Sequence, residues 1–571
     1  MAKRWIIRSA DTVSNGHRWG VPALIAQLLA NRGVTMDGAA AFFSPPLKEL
    51  LPPDLLPGAT QAAGILAEAV RSGKKIVLYG DYDVDGTTGV SILWHILHQA
   101  GVDARVYVPH RITEGYGLNP EATKRLVADG AEVIVTVDCG ITALEVARTL
   151  MDTGVVLIIT DHHTPREELP AAAAIVHPGL ENSYANPHLC GAGVAFKLAW
   201  AIAQQLSGSD RVSPGFRDLL GELLPLAALG TIADVVPLTG ENRIIARHGL
   251  ERLCRTPLPG LCALLDSAGL TGRAIDDYDV GFKLAPRINA AGRMGHAELA
   301  VELFTRADTA RAREIALYLD EHNRSRKAIE HKITKQAIAM IEEKRLAADS
   351  RRAIVVSSKD WHPGVIGIVA ARLVGKYHRP AVVIALNGAD GQGSARSVEH
   401  FDLASALASC EDVLLSHGGH AMAAGLRVAA ECVESFAARF VEVANNRLSG
   451  RDLTPTLRLD AEVTLDALTL PTAETIQSMG PFGVGNPKPR FATGWVDLAG
   501  EPRCVGKVQD HLLATFRSNG VQMRAIGFGL AHVIEDLKQH RRCRVAFEPI
   551  INDFNNRRTV EMKMLDLKFP E

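Results

Sequence analysis

The sequence predicts an α/β protein that contains a doubly wound, mostly parallel sheet, a long connector helix, a second and smaller α/β domain, and a C-terminal β-barrel. Short β-branched runs alternate with helical patterns over residues 75–176, which is typical of βαβ units. Residues 309–348 have one continuous helical periodicity, as a rigid connector would. From about residue 455 short strands alternate with turns, as in small β-barrels.

Composition limits the class of protein. The chain has 571 residues, of which 47% are hydrophobic and 22% charged, and this predicts three or four folded domains. Its 62 Lys and Arg residues nearly balance 64 Asp and Glu residues, so any nucleic-acid site must be a local patch. The sequence contains no signal-peptide h-region and no apolar run of membrane length. We therefore expect a cytoplasmic protein that does not bind membranes.

The first half of the chain is assigned to two regions. Residues 1–58 are predicted to form an N-terminal cap and connector, because a helical stretch at Val21–Arg32 precedes a proline-rich segment. Residues 59–308 form the main α/β domain. Its strands are continuous β-branched runs that suit a sheet buried on both faces, namely Lys75–Tyr79, Ala104–Val108, Val133–Val137, Val155–Ile159 and Ala174–Val176. The intervening helices are predicted at Gly89–Ala100, Asn119–Asp129 and Ala143–Thr153.

Three regions follow. The connector helix is assigned to residues 309–348, where Ile329, Ile333, Ala337 and Ile341 recur every four residues. The second α/β domain, at residues 349–450, has strands predicted at Ala353–Val356, Pro380–Leu386 and Gly425–Val428. The barrel is assigned to residues 451–571, with strands predicted at Thr456–Val463, Phe491–Leu498, Leu512–Arg517, Arg544–Ile551 and Thr559–Leu567.

Three carboxylates follow the first predicted strand of the main sheet. Asp81, Asp83 and Asp85 stand at alternate positions in Gly80–Thr88, at the edge where open α/β sheets bind ligands. If the backbone stays extended, alternate side chains point the same way, and their repulsion calls for a cation. Two alternatives stay open. An EF-hand loop would need a Glu where Ile92 stands, and a solvated turn would use an Asp as a helix cap.

Two further strands end in residues that bind metals. Val133–Val137 runs into Asp138, and Val155–Ile159 is soon followed by Asp161–His163. Three strand ends that converge at one edge favour a metal site over three separate helix caps. Asp234 lies in an apolar segment and is a fourth candidate, because a buried carboxylate needs a partner. A helix cap is the alternative for Asp234.

The ligand set is mainly carboxylate with some imidazole. Oxygen ligands suit Mg²⁺ or Mn²⁺, and added imidazole favours Mn²⁺. Four or five aspartates are enough for two ions bridged by one carboxylate, the standard arrangement for attack on a phosphodiester. Because His162 and His163 are adjacent, we expect one to bind an ion and the other to meet the substrate or the leaving oxygen. Asp161 is expected to orient an imidazole.

Three other segments combine small residues with basic side chains. They are Arg287–Arg293, which includes Asn289, Gly393–Arg396, which includes Ser394, and His417–His420, which includes Gly418 and Gly419. A small-residue loop lets the backbone approach a phosphate that arginine can bind. Surface arginines and ordinary glycine turns are the alternatives. Zinc at the two histidines would lack further ligands nearby.

Together these motifs resemble the DHH phosphoesterase superfamily and, within it, the bacterial RecJ family of single-stranded-DNA exonucleases. The resemblance covers nearly the whole chain and includes the segments named above. It also includes Pro109–Arg111, Glu114–Gly117, Leu189–Lys197 and Trp361–Gly367. It implies that the main domain is a DHH catalytic domain, the second a DHHA1 nucleic-acid-binding domain, and the barrel an OB-fold.

The resemblance implies roles for individual residues. One metal would lie on Asp81, Asp83 and Asp138, and the other on Asp85, Asp138, His162 and Asp234. His163 would lie near the scissile phosphate, with Asp161 and Asp138 completing the catalytic group. Phosphates, including the 5′ end, would contact Arg111, Arg287, Ser394, Arg396 and Gly418–His420, and Asn289 and Arg293 belong to the same basic segment.

The implied activity is a 5′→3′ exonuclease on single-stranded DNA that releases 5′-mononucleotides in recombinational, mismatch and base-excision repair. Hydrolysis is also expected from the two-metal site, whereas the polarity, strand preference and repair roles come from the resemblance alone. We expect a monomer, with a single-stranded-DNA-binding protein and a helicase as partners. One rival function is a phosphodiesterase on short RNA, cyclic dinucleotides or pyrophosphate. The other is a noncatalytic replication or repair scaffold.

Overall fold

The computed structural model describes residues 3–8, 19–110, 114–181, 183–294, 296–450, 452–554 and 557–570, without the side chains of Arg293, Met294 and Phe554. The chain forms two compact units. One consists mainly of Leu317–Leu457, and the other combines Trp5–Gly292, His296–Ala316 and Arg458–Glu571. No helix among the described residues is both long and apolar enough to cross a membrane.

The main sheet is wholly parallel. Its strands are β2 (Ile76–Gly80), β3 (Arg105–Tyr107), β4 (Val133–Val137), β5 (Val156–Thr160) and β6 (Ala174–Val176), and β1 (Arg4–Ile7) precedes them outside this sheet. The spatial order is β3-β2-β4-β5-β6. Every residue of β2 and β4 is buried, as continuous β-branched runs predict. The strand order reverses between β2 and β4, and this switch point is where doubly wound sheets bind ligands.

Fourteen helices are described from the N-terminal region to the end of the connector. They are α1 (Ala23–Ala30), α2 (Ala39–Phe43), α3 (Ala59–Arg71), α4 (Val84–Gln99), α5 (Pro120–Ala128), α6 (Leu144–Asp152), α7 (Gly191–Ser207), α8 (Pro214–Ala233), α9 (Gly240–Leu253), α10 (Pro259–Ser267), α11 (Asp277–Asp279), α12 (Ala285–Met294), α13 (Ala297–Phe304) and α14 (Thr309–Glu343). A π-helical turn, Val280–Leu284, joins α11 to α12. The connector helix is thus α14, which ends at Glu343 and not at the predicted residue 348.

The second sheet is mostly antiparallel. Its strands are β7 (Ile354–Ser358), β8 (Ala381–Asn387), β9 (Asp390–Arg396), β10 (Ser416–Gly419) and β11 (Ala423–Ala429), accompanied by α15 (Ile366–Tyr377), α16 (Leu403–Ala408) and α17 (Val433–Arg447). The order is β10-β11-β9-β8-β7, and only β7 and β8 are parallel. Two apolar clusters pack on this sheet, one containing Phe436 and the other Trp361.

The C-terminal region contains a closed barrel. Its elements are β12 (Thr456–Leu459), β13 (Ala461–Val463), α18 (Leu470–Ser478), β14 (Phe491–Thr493), β15 (Val496–Leu498), β16 (Arg503–Val505), β17 (His511–Ser518), β18 (Val521–Gly527), α19 (Ile534–His540), β19 (Arg542–Phe554) and β20 (Arg557–Lys568). Five strands close in the order β19-β15-β17-β18-β20, because β20 pairs back to β19. Ile25 and Leu28 of α1 join the barrel core around Phe491 and Phe547, so the predicted N-terminal cap packs on the barrel.

Candidate metal centre

The three alternating aspartates do not lie on one extended stretch. Helix α4 begins at Val84, five residues before the predicted start, so Asp81 follows β2 while Asp85 lies in the first helical turn. Asp83 is the N-cap, and its Oδ1 accepts a hydrogen bond from the backbone N–H of Gly86 (3.1 Å). The condition of an extended backbone is therefore not met through all three positions, because the Asp83 side chain caps a helix that begins at Val84.

The structure also decides between the alternatives for this motif. A strand precedes the acidic segment, whereas a helix enters an EF-hand loop. Asp81 and Asp85 are 4% and 1% exposed, so the segment is not a solvated turn. The helix-cap alternative holds for Asp83 alone.

Asp85 is held by the start of another helix. Its Oδ2 accepts from the N–H of Gly191 (2.6 Å) and its Oδ1 from the N–H of Ala192 (2.9 Å). These are free N–H groups in the first turn of α7, where the helix dipole also favours negative charge. A Cβ at Gly230 would lie 2.5 Å from Asp85 Oδ1, so glycine is needed there for helix α8 to approach this carboxylate.

Asp138 lies at the end of β4 in a left-handed conformation, with φ of 63°. Such a conformation costs energy for a residue with a side chain and is common at functional sites. The Asp138 side chain is 3% exposed. A Cβ at Gly191 would lie 2.6 Å from the Cβ of Asp138, so the glycine that binds Asp85 also leaves space for Asp138.

The residues that follow β5 form a connected group. Asp161 is buried, and its Oδ1 lies 2.7 Å from Nδ1 of His163 while its Oδ2 accepts from the N–H of Ile141 (2.9 Å). Burial opposes ionisation, but the hydrogen bonds from His163 and the backbone lower the pKa of Asp161. Burial likewise opposes protonation of His163, but the bond to Asp161 raises the pKa of His163. Asp161 therefore orients the His163 ring, as predicted for a second-layer carboxylate.

The predicted ligands come together in three groups whose nitrogen and oxygen atoms lie within 4.8 Å of one another. The groups are Asp81, Asp83 and Asp138; Asp85, His162 and Asp234; and Asp138, His162 and His163. Nε2 of His162 lies 3.1 Å from Asp138 Oδ1 and 3.7 Å from Asp234 Oδ2. The first group has the composition of one predicted ion site, and the second has that of the other without Asp138.

The electrostatics of this cluster call for a cation. Burial, followed by repulsion from Asp85 and Asp83, raises the pKa of Asp138 well above its usual value and the pKa of Asp234 to about 8. Burial lowers the pKa of His162, which keeps its imidazole neutral and able to bind a metal. The buried Asp138 Oδ1 and His162 Nε2 are hydrogen-bonded neither to each other, although they lie 3.1 Å apart, nor to any other described residue. A divalent cation would satisfy these atoms and offset the repulsion.

Asp234 is the C-cap of helix α8. The helix-cap alternative is thus met by the position of Asp234. Capping does not account for its side chain, because a carboxylate is unfavourable at a helix C-terminus. No described residue donates a hydrogen bond to its carboxylate, and its side chain is 25% exposed. Asp234 is thus less enclosed than the buried Asp85 and Asp138.

The predicted phosphate segment at residues 287–293 is helical. It belongs to α12, so the prediction of a small-residue loop is wrong. Oδ1 of Asn289 accepts from the N–H of Val84 (3.2 Å), and a Cβ at Gly292 would lie 2.5 Å from the carbonyl oxygen of Tyr82. Helix α12 therefore packs on the acidic segment and fixes its position.

The contacts seen for the basic residues of 287–293 do not show where a phosphate would bind. Nη1 of Arg287 donates to the carbonyl of Lys283 (2.6 Å). Phosphate contacts of Arg287 and Asn289 stay predictions. Arg111 and the side chain of Arg293 lie outside the described part of the chain.

Ser394 and Arg396 lie on strand β9, so the alternative of an ordinary glycine turn does not hold for this segment. Nη1 of Arg396 donates to Oγ of Ser394 (3.1 Å), and a Cβ at Gly367, in the first turn of α15, would lie 2.9 Å from that Oγ. A guanidinium, a hydroxyl and the first turn of a helix thus lie close together, the type of arrangement that binds anions.

The glycine and histidine segment lies at the same end of the second sheet. Gly418 and Gly419 end β10, the edge strand, and are exposed. Gly419 pairs with Ala424 of β11, which in turn pairs with Ala395 of β9. His420 is exposed and follows directly.

Three residues of the centre were not singled out from the sequence. The hydroxyl of Tyr116 lies 3.0 Å from Nδ1 of His163 and 3.1 Å from the carbonyl oxygen of Asp138. Nε2 of His177 lies 2.8 Å from the carbonyl oxygen of His163. Gly191 is the third. Tyr116 and Gly191 fall in segments that carried the family resemblance, and His177 follows β6 at the same sheet edge.

Comparisons with known proteins agree with this architecture. Family models match residues 75–231 (DHH family, N-terminal domain), 351–446 (DHHA1 domain) and 459–566 (RecJ OB domain). Over 575 residues the chain is 37% identical to the single-stranded-DNA-specific exonuclease RecJ of Bacillus subtilis, covering 100% of this chain and 71% of that protein.

Solved structures are also similar. The crystal structure of RecJ from Thermus thermophilus in complex with Mn²⁺ matches with a TM-score of 0.84 and 33% identity, covering 100% of this chain and 80% of that chain. The structure of the Thermus protein in complex with Mg²⁺ matches with a TM-score of 0.79 and 31% identity, covering 100% and 79%.

Proposed function

Because the chain belongs to the RecJ family of single-stranded-DNA-specific exonucleases, we propose that it degrades single-stranded DNA from the 5′ end to 5′-mononucleotides with two divalent metal ions. The observation that carries this function is the position of Asp138. It lies at the switch point of the main sheet and joins two groups of metal-binding side chains. Paired ions bridged by a carboxylate are suited to phosphodiester hydrolysis.

Mn²⁺ and Mg²⁺ are the ions that this centre would hold. Asp81, Asp83 and Asp138 offer oxygen atoms for one ion, and Asp85, His162 and Asp234 offer a mixed set for the other. Asp138 would join the second set through its Oδ1, which lies 3.1 Å from Nε2 of His162. Relatives of known structure bind both ions. When bound, the ion pair neutralises charge on the phosphate and activates the attacking water.

His163 is proposed to contact the scissile phosphate. Its Nδ1 is engaged by Asp161 at 2.7 Å, whereas Nε2 has a longer contact of 3.4 Å with the Tyr116 hydroxyl. Nε2 is therefore the atom proposed to meet the substrate. The raised pKa of His163 favours a ring that carries a proton on both nitrogens. In that form Nε2 donates a hydrogen bond to a phosphate oxygen or a proton to the leaving oxygen.

The proposed 5′→3′ direction of degradation depends on residues of the second sheet. We infer that Ser394, Arg396 and the segment Gly418–His420 hold the 5′ phosphate. The contact between Arg396 and Ser394 beside the first turn of α15 supports this assignment. Because a terminal phosphate carries more charge than an internal one, such a pocket would select a strand end over an internal position.

The wider biological role is also proposed. Action on single-stranded DNA suits recombinational, mismatch and base-excision repair, in which a single-stranded-DNA-binding protein and a helicase would supply the substrate to a monomeric, cytoplasmic enzyme. The proposed domain bounds are 1–58, 59–308, 309–348, 349–450 and 451–571. The three family-model matches fall inside the second, fourth and fifth of these ranges.

The test of this function uses purified protein with Mn²⁺, Mg²⁺ or EDTA. Its substrates are 5′-labelled single-stranded DNA, 3′-labelled single-stranded DNA and a blunt duplex. We expect immediate mononucleotide release from the 5′ label, stepwise shortening of the 3′-labelled strand, and no cleavage of the duplex or in EDTA. Cleavage of short RNA, cyclic dinucleotides or pyrophosphate in place of DNA would support the first rival function. No hydrolysis of any of them would support a noncatalytic scaffold.

A further inference from the structure

Asp234 has no hydrogen bond that orients its carboxylate. Both oxygens of Asp85 are held by backbone N–H groups, and those of Asp161 are held in the same way. The described part of the chain provides no such donor for Asp234. The position of its side chain therefore depends on the backbone around it.

That backbone is strained and turns sharply. Val235 has a φ of 63°, a left-handed conformation that is a genuine outlier for a β-branched residue. Such a conformation persists only where the surrounding structure enforces it. Helix α8 ends at Ala233 and helix α9 begins at Gly240. Within this connection the carbonyl of Pro237 accepts a hydrogen bond from Nδ2 of Asn242 in α9 (3.0 Å), and a second support lies outside these two helices.

The support comes from a C-terminal segment, residues 480–487, which we name the barrel loop. It falls within the RecJ OB domain match. The N–H of Leu238 donates to the carbonyl of Val484 (2.8 Å). A Cβ at Gly483 would lie 2.9 Å from Leu238 Cδ1, and one at Gly485 would lie 2.8 Å from Thr239 Cγ2. A methyl at either position would therefore press on a side chain of residues 238–239, and the φ of 76° at Gly485 independently favours glycine there.

The barrel loop is itself rigid. The buried Asn486 donates from Nδ2 to the carbonyls of Met479 (2.9 Å) and Pro481 (2.8 Å). Its Oδ1 accepts from Nε of Arg32 (2.8 Å). The buried Arg243 of α9 donates from Nη2 to the carbonyls of Met479 and Gly480, both at 3.0 Å. These bonds fix the loop to the same helix whose start it supports.

We propose that the barrel loop positions Asp234 as a ligand of the second metal ion. The C-terminal domain would then contribute to the metal centre, in addition to any role in DNA binding. The inference rests on the proposed function because it assigns Asp234 to an ion. Gly485 and Thr239 are positioning residues in this account, since they act through the backbone of residues 234–240 and touch no substrate.

The test is Gly485→Ala, compared with Gly520→Ala. Both glycines lie in the C-terminal region at nearly the same φ, 76° and 78°, so both variants carry similar backbone strain. Only the methyl at position 485 meets another segment, because nothing lies within 4 Å of a Cβ at Gly520. Mn²⁺ binding to the full-length protein is measured by titration calorimetry, and thermal unfolding is measured without metal.

We expect Gly485→Ala to weaken the affinity for one of the two Mn²⁺ ions at least tenfold and to leave the other unchanged. Gly520→Ala keeps both affinities, and thermal unfolding shows that both variants are folded without metal. The double variant Gly485→Ala/Thr239→Ser removes the Cγ2 that the methyl meets and restores the lost affinity. Wild-type affinities in Gly485→Ala, or equal losses in both glycine variants, would overturn the inference. Wild-type protein that binds two ions without cleaving DNA would contradict the proposed function alone.

Discussion

The backbone N–H of Gly191 donates a 2.6 Å hydrogen bond to Oδ2 of Asp85, so the first residue of one helix holds a candidate metal ligand that lies on another. The same residue must also be glycine for Asp138, because a Cβ would lie 2.6 Å from that side chain. One small residue therefore sets the spacing between two of the proposed ligands.

We expect Gly191→Ala to lower kcat on single-stranded DNA about a hundredfold, since a misplacement near 1 Å at a reacting centre has that cost. The matched control is Gly221→Ala, inside helix α8, where a Cβ meets nothing within 4 Å. That control gains up to about 1 kcal/mol of stability from helix propensity and keeps its activity. Steady-state kinetics and thermal unfolding measure both effects. Wild-type turnover in Gly191→Ala would show that Asp85 and Asp138 tolerate displacement.

Tyr116→Phe removes a hydroxyl that lies 3.0 Å from His163 Nδ1 and 3.1 Å from the carbonyl of Asp138. Loss of a hydrogen bond that orients His163 is expected to reduce kcat about tenfold with little change in KM. Tyr107→Phe is the control, because that hydroxyl contacts Glu114 (2.7 Å) outside the centre. Equal kcat values for the two variants would remove Tyr116 from the catalytic machinery.

Mn²⁺ binding is expected to release protons and to strengthen as pH rises. Burial and neighbouring carboxylates raise the pKa of Asp234 to about 8 and also raise the pKa of Asp138. In the metal-free protein Asp234 holds a proton below that pH, and a divalent ion must displace it. The dissociation constant for Mn²⁺ therefore falls between pH 6 and pH 8 and changes little above pH 8. Calorimetry in two buffers of different ionisation enthalpy measures the released protons, and binding independent of both pH and buffer would contradict the expectation.

Arg396→Ala is expected to weaken binding of 5′-phosphorylated single-stranded DNA by about 10- to 100-fold, the usual value of a charge-assisted hydrogen bond. Turnover at saturation changes little, because Arg396 lies on strand β9 and belongs to none of the three metal-binding groups. The same oligonucleotide with a 5′ hydroxyl is the control and should bind the variant and the wild type alike. If the affinity for both oligonucleotides falls equally, Arg396 binds the DNA backbone away from the 5′ phosphate.

The fold class and the convergence of the candidate ligands could be predicted from the sequence. Continuous β-branched runs mark the buried strands of the main sheet, and the carboxyl ends of parallel strands necessarily meet at one edge. That geometry brings residues as distant as Asp81 and Asp161 together before any contact is known. The family matches and the structure confirm the predicted fold class, including the closed barrel.

Other features depend on contacts that the sequence does not display. Helix α4 begins before its predicted start because the Asp83 side chain caps it. From the sequence alone, the same residues are equally compatible with an extended segment after the strand. Strand β9 has the sequence DGQGSAR, whose glycines suggest a turn, yet pairing on both sides makes it a strand. Helix α12 was predicted as a loop because of its small residues, which in fact permit close packing at Gly292. The roles of Gly191 and the barrel loop arise from packing between segments far apart in the chain.

The central claim is that two divalent ions share Asp138 at the switch point of the main sheet. The most direct test is anomalous diffraction from crystals of the full-length protein soaked in Mn²⁺. The account predicts two peaks about 3.5–4 Å apart, both within bonding distance of Asp138, one beside Asp81 and Asp83 and the other beside His162 and Asp234. A single peak, or two peaks of which Asp138 contacts at most one, would contradict it.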